Sequence, residues 1–192
     1  MANNAAYVSA GKPKLTGATW SAAIGSTLPT DATTALDSAF KCLGYSSENG
    51  LNVAITRTSE TIKAWGGETV LTPQTEYEEK YSFTLIEPLN SEVLKVVYGD
   101  DNVVTTSTLR TVKSTAEELP KRSWVFDMTM SNGLARRIVI PFAKVTEIGD
   151  IAYVDNEPVG YELTLTATPD ATGKCSYTYD ELAAASGTSG NS

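Results

Sequence analysis

The sequence of 192 residues contains no histidine and only two cysteines, Cys42 and Cys175. Without histidine, the chain lacks the commonest general base near neutral pH and the commonest metal ligand. Ser-His-Asp sites, Cys-His sites and histidine zinc sites are therefore excluded. The two cysteines lie far apart in the sequence and have no CxxC spacing, so we expect two incidental thiols. A disulfide between them would require the fold to bring them together.

Long apolar runs and basic runs are also missing. No apolar stretch approaches the roughly 18 residues that span a membrane, and the first residues lack the pattern of a secretory signal. The 15 basic and 23 acidic residues give a net charge of −8. A protein that binds nucleic acid without regard to sequence needs a basic surface, so any contact with DNA should be weak. We expect a soluble protein made in a cytoplasm, with no cofactor and no membrane partner.

Composition divides the chain into three parts. Residues 1–34 are rich in Ala, Ser, Thr and Gly and show little periodicity. We expect this part to be an extended N-terminal arm, anchored by Tyr7 and Trp20, that could stay disordered until it meets a partner. Residues 35–181 carry the regular patterns and should form one domain. Residues 182–192 fade into Ala, Ser and Gly, which predicts a flexible C-terminal tail.

Alternation of apolar and polar residues predicts strands through most of the domain. Between residues 76 and 87, Tyr81 and Phe83 share one face while Lys80 and Ser82 share the other. Threonine is frequent on the polar faces, which suits strands better than helices. The predicted strands cover residues 51–56, 60–65, 76–87, 122–130, 134–145 and 159–168. The pattern therefore predicts a mainly β fold.

Two short helical patterns interrupt the strands. Within residues 31–44, apolar residues recur on one face, and a glycine follows where a helix would stop; they are Leu36, Ala39, Phe40 and Leu43. The second pattern has Asn90 as its capping residue and Gly99 at its end. Leu89 and Leu94 occupy the two positions of a hydrophobic staple. We expect a short amphipathic helix docked on the β structure here.

Two glycine-containing motifs resemble binding sites, but each has a simpler interpretation. Asp100 and Asp101 follow the predicted helix directly, and no second acidic cluster supports a metal site, so we expect a turn. A phosphate-binding loop would need a later Lys-Ser/Thr pair and a helix. Glu68 and a strand-like pattern follow Gly66 and Gly67 instead, which predicts a hairpin or a protruding loop.

Charged residues on the predicted strands do not support catalysis either. Glu76 and Glu78 should share one face about 7 Å apart, a spacing that a glycosidase could use. No platform of exposed aromatic residues accompanies them, so we expect a solvated acidic face. Arg136 and Arg137 should point to opposite faces of their strand. Either arginine could pair with a carboxylate of a neighbouring subunit or lie on an ordinary surface.

The order of several stretches resembles the major tail proteins of long-tailed bacteriophages, particularly those that infect actinobacteria. The stretches are Leu43-Gly44-Tyr45-Ser46-Ser47-Glu48-Asn49-Gly50-Leu51, Ile62-Lys63-Ala64-Trp65-Gly66-Gly67-Glu68-Thr69-Val70 and Tyr81-Ser82-Phe83-Thr84-Leu85-Ile86-Glu87, which runs into residues 90–99. The likeness covers residues 31–99 well and the later strands only in general pattern. The ordered set carries the resemblance, since no single motif is diagnostic.

The resemblance implies a β-sandwich or distorted barrel flanked by a short helix, with an extended N-terminal arm and a protruding loop. It also implies a structural, non-enzymatic virion protein that forms six-fold rings stacked into a tail tube. The tape-measure protein and the genome would pass through the lumen without specific binding. Tail terminator and baseplate proteins would be further partners. An acidic protein suits such a conduit, because a basic lumen would hold DNA.

The resemblance also suggests which residues meet other molecules. The arm and the glycine loop are suitable bridges between stacked rings, and the candidates are Tyr7, Trp20, Trp65, Gly66, Gly67 and Glu68. For Trp65, packing within its own hairpin is an equally open interpretation. The polar faces of two predicted strands are candidates for the lumen surface, and they carry Glu76, Glu78, Glu162, Thr164 and Thr166.

Three alternatives remain open from the sequence. A monomeric β-sandwich binding module, such as a sugar-binding or adhesin domain, would explain the strands and the acidity but not the long arm. A hydrolase that uses carboxylates predicts an activity lost on Glu76→Gln or Glu78→Gln. Within the tube class, the protein could instead belong to a contractile tail or a secretion system.

Overall fold

The structure, a computed structural model, describes residues 3–182, so most of the predicted C-terminal tail lies outside the described residues. Within this range the chain forms thirteen β-strands and one α-helix. The strands are β1 (Gly11–Pro13), β2 (Thr19–Ala23), β3 (Lys41–Cys42), β4 (Asn52–Ser59), β5 (Ile62–Lys63), β6 (Thr69–Leu71), β7 (Gln74–Leu85), β8 (Val103–Thr105), β9 (Arg110–Val112), β10 (Arg122–Met130), β11 (Ala135–Ile148), β12 (Tyr161–Thr168) and β13 (Tyr177–Asp180). The helix is α1 (Ser91–Tyr98), and short 3-10 turns cover Ala5–Tyr7 and Asp100–Asn102.

Nine strands form one antiparallel sheet in the order β3-β2-β10-β11-β12-β7-β4, with β1 beside β10 and β13 beside β11. The long strand β11 pairs with β10 up to Ala143 and with β12 from Phe142 onward. Each neighbour therefore holds a different half of β11. Two small hairpins, β5–β6 and β8–β9, lie outside this sheet.

The sheet folds over at β11 so that β7 and β10 face each other across the core. Phe83 of β7 lies 5.1 Å from Phe126 and 5.9 Å from Trp124 of β10, measured between ring centroids. Tyr81 stacks on Phe126 at 6.3 Å. These contacts join strands that are separated in the sheet by β11 and β12. The fold is therefore mainly β and sandwich-like with a short helix, as predicted, and within the described residues the sheet does not close into a barrel.

The main core lies between the two halves of the folded sheet, and helix α1 packs against it. Leu85, Ile140, Leu163 and Leu165 are completely buried there. The helix is the one predicted from Asn90 and Gly99, and it contributes a buried face of Val93, Leu94, Val96 and Val97. The Asn90 side chain accepts a hydrogen bond from the Glu92 N–H at 3.0 Å, which caps the helix. The predicted staple is wrong, because Leu89 is 82% exposed.

The helix predicted within residues 31–44 is also wrong, because this segment consists of turns followed by β3. The Asp31 carboxylate accepts hydrogen bonds from the N–H groups of Thr33 and Thr34, and Asp37 accepts one from Ala39. Such bonds compete with helix formation. Leu36 and Phe40 instead lie on the outer face of β10 and β11, where Phe40 packs with Ala22, Val125 and Val139, whereas Leu43 is buried in the main core.

Part of the predicted arm is a strand of the sheet. Thr19–Ala23 forms β2 between β3 and β10, and Thr19, Ser21 and Ala22 are buried. Trp20 is half-buried beside the same cluster as Phe40, whereas Tyr7 is 83% exposed. Side chains on both faces of β2 are buried, and most of them are small or polar. The sequence therefore shows no alternation of apolar and polar residues that would identify the strand.

The remaining predicted strands are present with shifted ends. Residues 122–130 match β10, while β7, β11 and β12 overlap their predictions closely. Of residues 60–65, only Ile62–Lys63 forms a strand. The strand predicted at residues 51–56 is present as β4, but the half-burial that its alternation would indicate is wrong, because every residue of β4 is exposed. No helix within residues 3–182 has the length and apolar character needed to cross a membrane.

Candidate functional site

One outward face of the sheet is bare and polar. The strand register places side chains of β4, β7, β12 and β11 beside one another, so that Lys80 lies next to Thr166 and Thr166 next to Lys144. We call this surface the polar face, and it consists of Asn52, Ala54, Thr56, Thr58, Glu76, Glu78, Lys80, Ser82, Thr84, Lys144, Thr146, Glu147, Glu162, Thr164 and Thr166. The structure therefore brings onto one face all five residues that were predicted to line a lumen.

Hydroxyl groups dominate the polar face and bond to one another. The Ser82 and Thr164 hydroxyls are 3.1 Å apart, and those of Thr146 and Thr166 are 3.0 Å apart. The four carboxylates outnumber the two amines but are spread over β7, β11 and β12, and Lys80 lies 3.1 Å from Glu78. A surface of this kind holds water through many weak partners and offers no concentrated charge of either sign.

Two strand edges bound the polar face, and within residues 3–182 no strand pairs with either. The outer edge of β4 is the last in the sheet order. On β11, the pairing with β10 ends at Ala143, so residues 144–148 have β12 on one side and no strand on the other. The edges run in opposite directions, because each of the four strands is antiparallel to the next. Free edges present unpaired backbone donors and acceptors to another chain.

The β4–β7 hairpin projects beyond the core as a two-stranded ribbon, residues 52–78. Burial on β7 begins only at Glu79, so most of the ribbon has solvent on both faces. Its large exposed aliphatic side chains are Val53, Ile55, Ile62, Val70 and Leu71. A two-stranded ribbon is at best marginally stable in water by itself, and the body of the protein must hold its base.

The ribbon ends in a tight turn that presents Trp65. Gly66 and Gly67 have φ values of 117° and 94°, a region that other residues rarely adopt. The Ala64 N–H donates to the Glu68 carbonyl at 2.7 Å and closes the turn. The Trp65 side chain is fully exposed. Packing within its own hairpin is therefore not its role in the isolated chain.

A buried carboxylate lies at the base of the ribbon. Glu79 is only 4% exposed and accepts hydrogen bonds from the hydroxyls of Tyr77 at 2.7 Å, of Ser176 at 2.5 Å, and of Tyr81. Burial raises the pKa of Glu79, but the hydrogen bonds from Ser176, Tyr81 and Tyr77 outweigh it and lower the pKa overall. The carboxylate therefore stays charged at neutral pH. The Arg57 guanidinium lies 4.5 Å from the centre of the Tyr77 ring.

The two neighbouring arginines of β11 have partners within their own chain. Arg136 pairs with Asp180 at 2.5 Å on the exposed side. Arg137 is buried and pairs with the buried Asp127 through bonds of 2.6 and 3.0 Å. Arg137 also donates to the backbone carbonyls of Asp31 and Thr34, at 3.0 and 2.9 Å. It thereby ties the covering segment to the sheet.

The residues considered for chemistry fit structural roles. Asp100 begins a 3-10 turn and pairs with Arg122. Glu76 and Glu78 lie on the polar face, while Glu79 points to the opposite side. Within residues 3–182, no three His, Cys, Asp or Glu side chains are grouped so that they could hold a metal ion. Cys42 and Cys175 are both free thiols.

Comparison with known proteins agrees with this picture. The sequence matches the family model described as "Phage tail tube protein" over residues 1–185. The chain belongs to this family. It is therefore a structural component of a phage tail, which suggests a non-enzymatic role, self-assembly and association with other tail components.

Two further comparisons add little to the assignment of this tail tube protein. A solved structure titled "Cryo-EM structure of the anti-feeding prophage cap (AFP tube terminating cap)" is 10% identical and has a TM-score of 0.44. The similarity covers 94% of this chain and 100% of that one. The search of curated proteins found no match.

Proposed function

We propose that this tail tube protein closes into six-fold rings that stack into the tube of a long, non-contractile phage tail. The polar face lines the central channel of the tube. The observation that carries this proposal is the pair of free edges on the polar face, the outer edge of β4 and residues 144–148 of β11.

Ring closure follows from the direction of these edges. When copies stand side by side in the same orientation, β4 of one copy meets β11 of the next with opposite chain direction. An antiparallel pair then forms, and the alternation of the four strands continues from copy to copy. Pairing also removes two exposed edges that would otherwise cause non-specific association. Each chain contributes its own edge and accepts its neighbour's, which is the heterologous contact that closes into a ring.

The chemistry of the polar face suits the passage of DNA and of a tape-measure protein. Strong binding of DNA depends on amines and guanidinium groups that displace counterions from phosphates. The polar face has only Lys80 and Lys144, and these lie beside Glu78 and Glu118. Its many hydroxyls keep a layer of water without gripping the passing chain.

Rings stack through the exposed segments that project from the body of the protein. Trp65, Gly66, Gly67 and Glu68 at the ribbon tip contact the adjacent ring, together with Tyr7 of the arm. Trp20 contributes less, because its ring packs against its own chain and its Nε1 donates to the Gly17 carbonyl at 3.2 Å. Stacked contacts of this kind are open-ended and yield a tube, which terminator and baseplate proteins limit. The protein is made in the host cytoplasm and assembles there without a membrane.

Electron microscopy and light scattering of the concentrated full-length protein test this function. We expect hollow tubes from the wild type and monomers from Ile55→Lys, because a charged side chain on an edge strand prevents pairing. Val104→Lys is the matched control, since Ile55 and Val104 are 56% and 49% exposed and Val104 lies on the separate β8–β9 hairpin. This control should still form tubes.

Tubes from both variants would contradict pairing through β4. Wild-type protein that stays monomeric even with preformed tail tubes as seeds would contradict the whole proposal. Binding of a sheath protein along the outside of the tubes would favour a contractile tail.

A further inference from the structure

Within residues 3–182, a side-chain hydrogen bond joins the base of the ribbon to a segment of the body outside the strand ladder. Ser176, in the segment between β12 and β13, donates to Glu79 at 2.5 Å. Tyr77 and Tyr81 donate to the same carboxylate from β7. Within the described residues, no basic side chain forms an ion pair with Glu79. We call Glu79, Tyr77, Tyr81 and Ser176 the hydroxyl clamp.

The body side of the clamp is rigid. The Asp170 carboxylate accepts hydrogen bonds from the Thr172 N–H and hydroxyl, both at 2.7 Å, from the Lys174 N–H at 3.1 Å and from the Tyr177 hydroxyl at 2.6 Å. Tyr177 begins β13, which pairs with β11. The position of Ser176 is therefore set by the body and not by the ribbon.

The ribbon side of the clamp lies where burial ends. Tyr81 is 1% exposed and Glu79 is 4% exposed, but Tyr77 is already 38% exposed. On the neighbouring strand, Val53 and Ile55 pair with Tyr81 and Glu79 and are 46% and 56% exposed, so within residues 3–182 no second layer covers these side chains of β4. A two-stranded ribbon without a covering layer bends easily, so contacts at Glu79 decide the direction in which it leaves the body.

We propose that the hydroxyl clamp is a conformational device that fixes the direction of the ribbon before assembly. This proposal rests on the proposed function, in which the ribbon tip makes the contact between rings. A buried carboxylate with three donors has little freedom, since losing any donor leaves charge poorly solvated. The clamp therefore holds the Trp65 turn in one position relative to the β4 and β11 edges. The monomer then presents its contact between rings, the Trp65 turn, and its contact within a ring, the β4 and β11 edges, in a fixed relative position.

Backbone ¹⁵N relaxation of the dilute monomeric protein tests the clamp without any requirement for tubes. In the wild type, ribbon amides should be as ordered as those of β10, with order parameters of about 0.85. Ser176→Ala removes only the bond between body and ribbon, and we expect ribbon order parameters below about 0.6. Glu79→Gln should have the same effect. Glu78→Gln is the control, because Glu78 lies one residue away on the polar face.

A tube-growth assay then measures the consequence. If the competent direction falls to about a tenth of the population, apparent affinity for the tube end falls about tenfold. Unchanged order parameters in Ser176→Ala would overturn the clamp, even if Glu79→Gln failed to fold. Mobile ribbons with normal growth would overturn its role in assembly. Wild-type protein that has an ordered ribbon but never forms tubes would leave the clamp standing and refute the proposed function instead.

Discussion

The outward faces of the two halves of the folded sheet differ, because one is covered by the chain and the other is exposed to solvent. On β2, β10 and the first half of β11, the outward face is covered by residues 24–40 of the same chain and carries Val125, Val139 and the buried pair Arg137–Asp127. On β4, β7, β12 and the second half of β11, the outward face is bare and hydroxyl-rich. The covered face carries apolar side chains and a buried ion pair, whereas the polar face carries hydroxyl and charged groups that water can reach. The difference separates the part that maintains the fold from the part that is free for function.

The largest difference in stability should separate substitutions of the two neighbouring arginines of β11. Arg137→Met leaves the buried Asp127 with only the Lys14 amine, at 3.9 Å, which should cost about 3 kcal/mol in the free energy of unfolding. Arg136→Met removes only the exposed pair with Asp180, for which we expect less than about 1 kcal/mol. Urea unfolding of both variants measures the contrast. Equal losses would mean that the covered face does not depend on its buried ion pair.

A comparable difference in stability should separate a substitution in the covering segment from one on the polar face. Phe40 is 4% exposed over Val125, and Phe40→Ala should cost about 3 kcal/mol or more through the lost contacts and the cavity. Thr164→Ala on the polar face should change stability by about 0.5 kcal/mol or less. Thermal unfolding followed by circular dichroism would reveal either result, and a costly Thr164→Ala would blur the distinction between the two faces.

Acid should weaken the covered face before the polar face. Hydrogen bonds from Thr34, its side chain first, and from the backbone of Thr33 hold the pKa of Asp31 at about 2, below its ordinary value of 3.8. A lowered pKa means that the Asp31 charge stabilises the fold above pH 3.8 and loses this contribution as the pH falls to about 2. Asp31→Asn should therefore be less stable than the wild type at pH 7 and nearly equal to it at pH 2. A constant difference at both pH values would refute the role of this charge.

The smallest effect on stability should accompany a new activity. Thr164→Lys with Thr166→Lys adds two amines to the solvated polar face, so the free energy of unfolding should change by about 0.5 kcal/mol or less. Binding to duplex DNA should nevertheless strengthen and should weaken again with added salt. Fluorescence anisotropy with labelled DNA measures both. Tight DNA binding by the wild type would contradict a channel that releases its cargo.

The elements with a strong pattern were predictable from the sequence, and so was the polar face. Alternation in β7 and β12 identified the polar residues, and Asn90 and Gly99 identified α1. What alternation could not give is that these strands lie side by side, because register between distant strands depends on long-range packing. Family resemblance supplied the function, since no residue pattern in the chain does so alone.

The sequence analysis did not predict the hydroxyl clamp or the segment that covers β10 and β11, and the physical reasons differ. Glu79 falls in phase with Tyr77 and Tyr81 on the apolar side of β7, and that charged residue among buried positions was a signal that could have been read. The covering segment that contains Phe40 presented the opposite problem, because its apolar spacing fits a helix. The side chains of Asp31 and Asp37 favour turns there, and the outer face of β10 decides where the apolar residues go.

The exposure of Trp65 gives the protein a built-in optical reporter. Trp124 is enclosed in the core and Trp20 is half-buried, so of the chain's three indoles the one at the ribbon tip alone is fully solvated. Its emission should lie to the red in dispersed protein and move to the blue once a neighbouring molecule removes water from the ring. Polymer growth could thus be timed by intrinsic fluorescence, with no dye attached and no part of the channel altered.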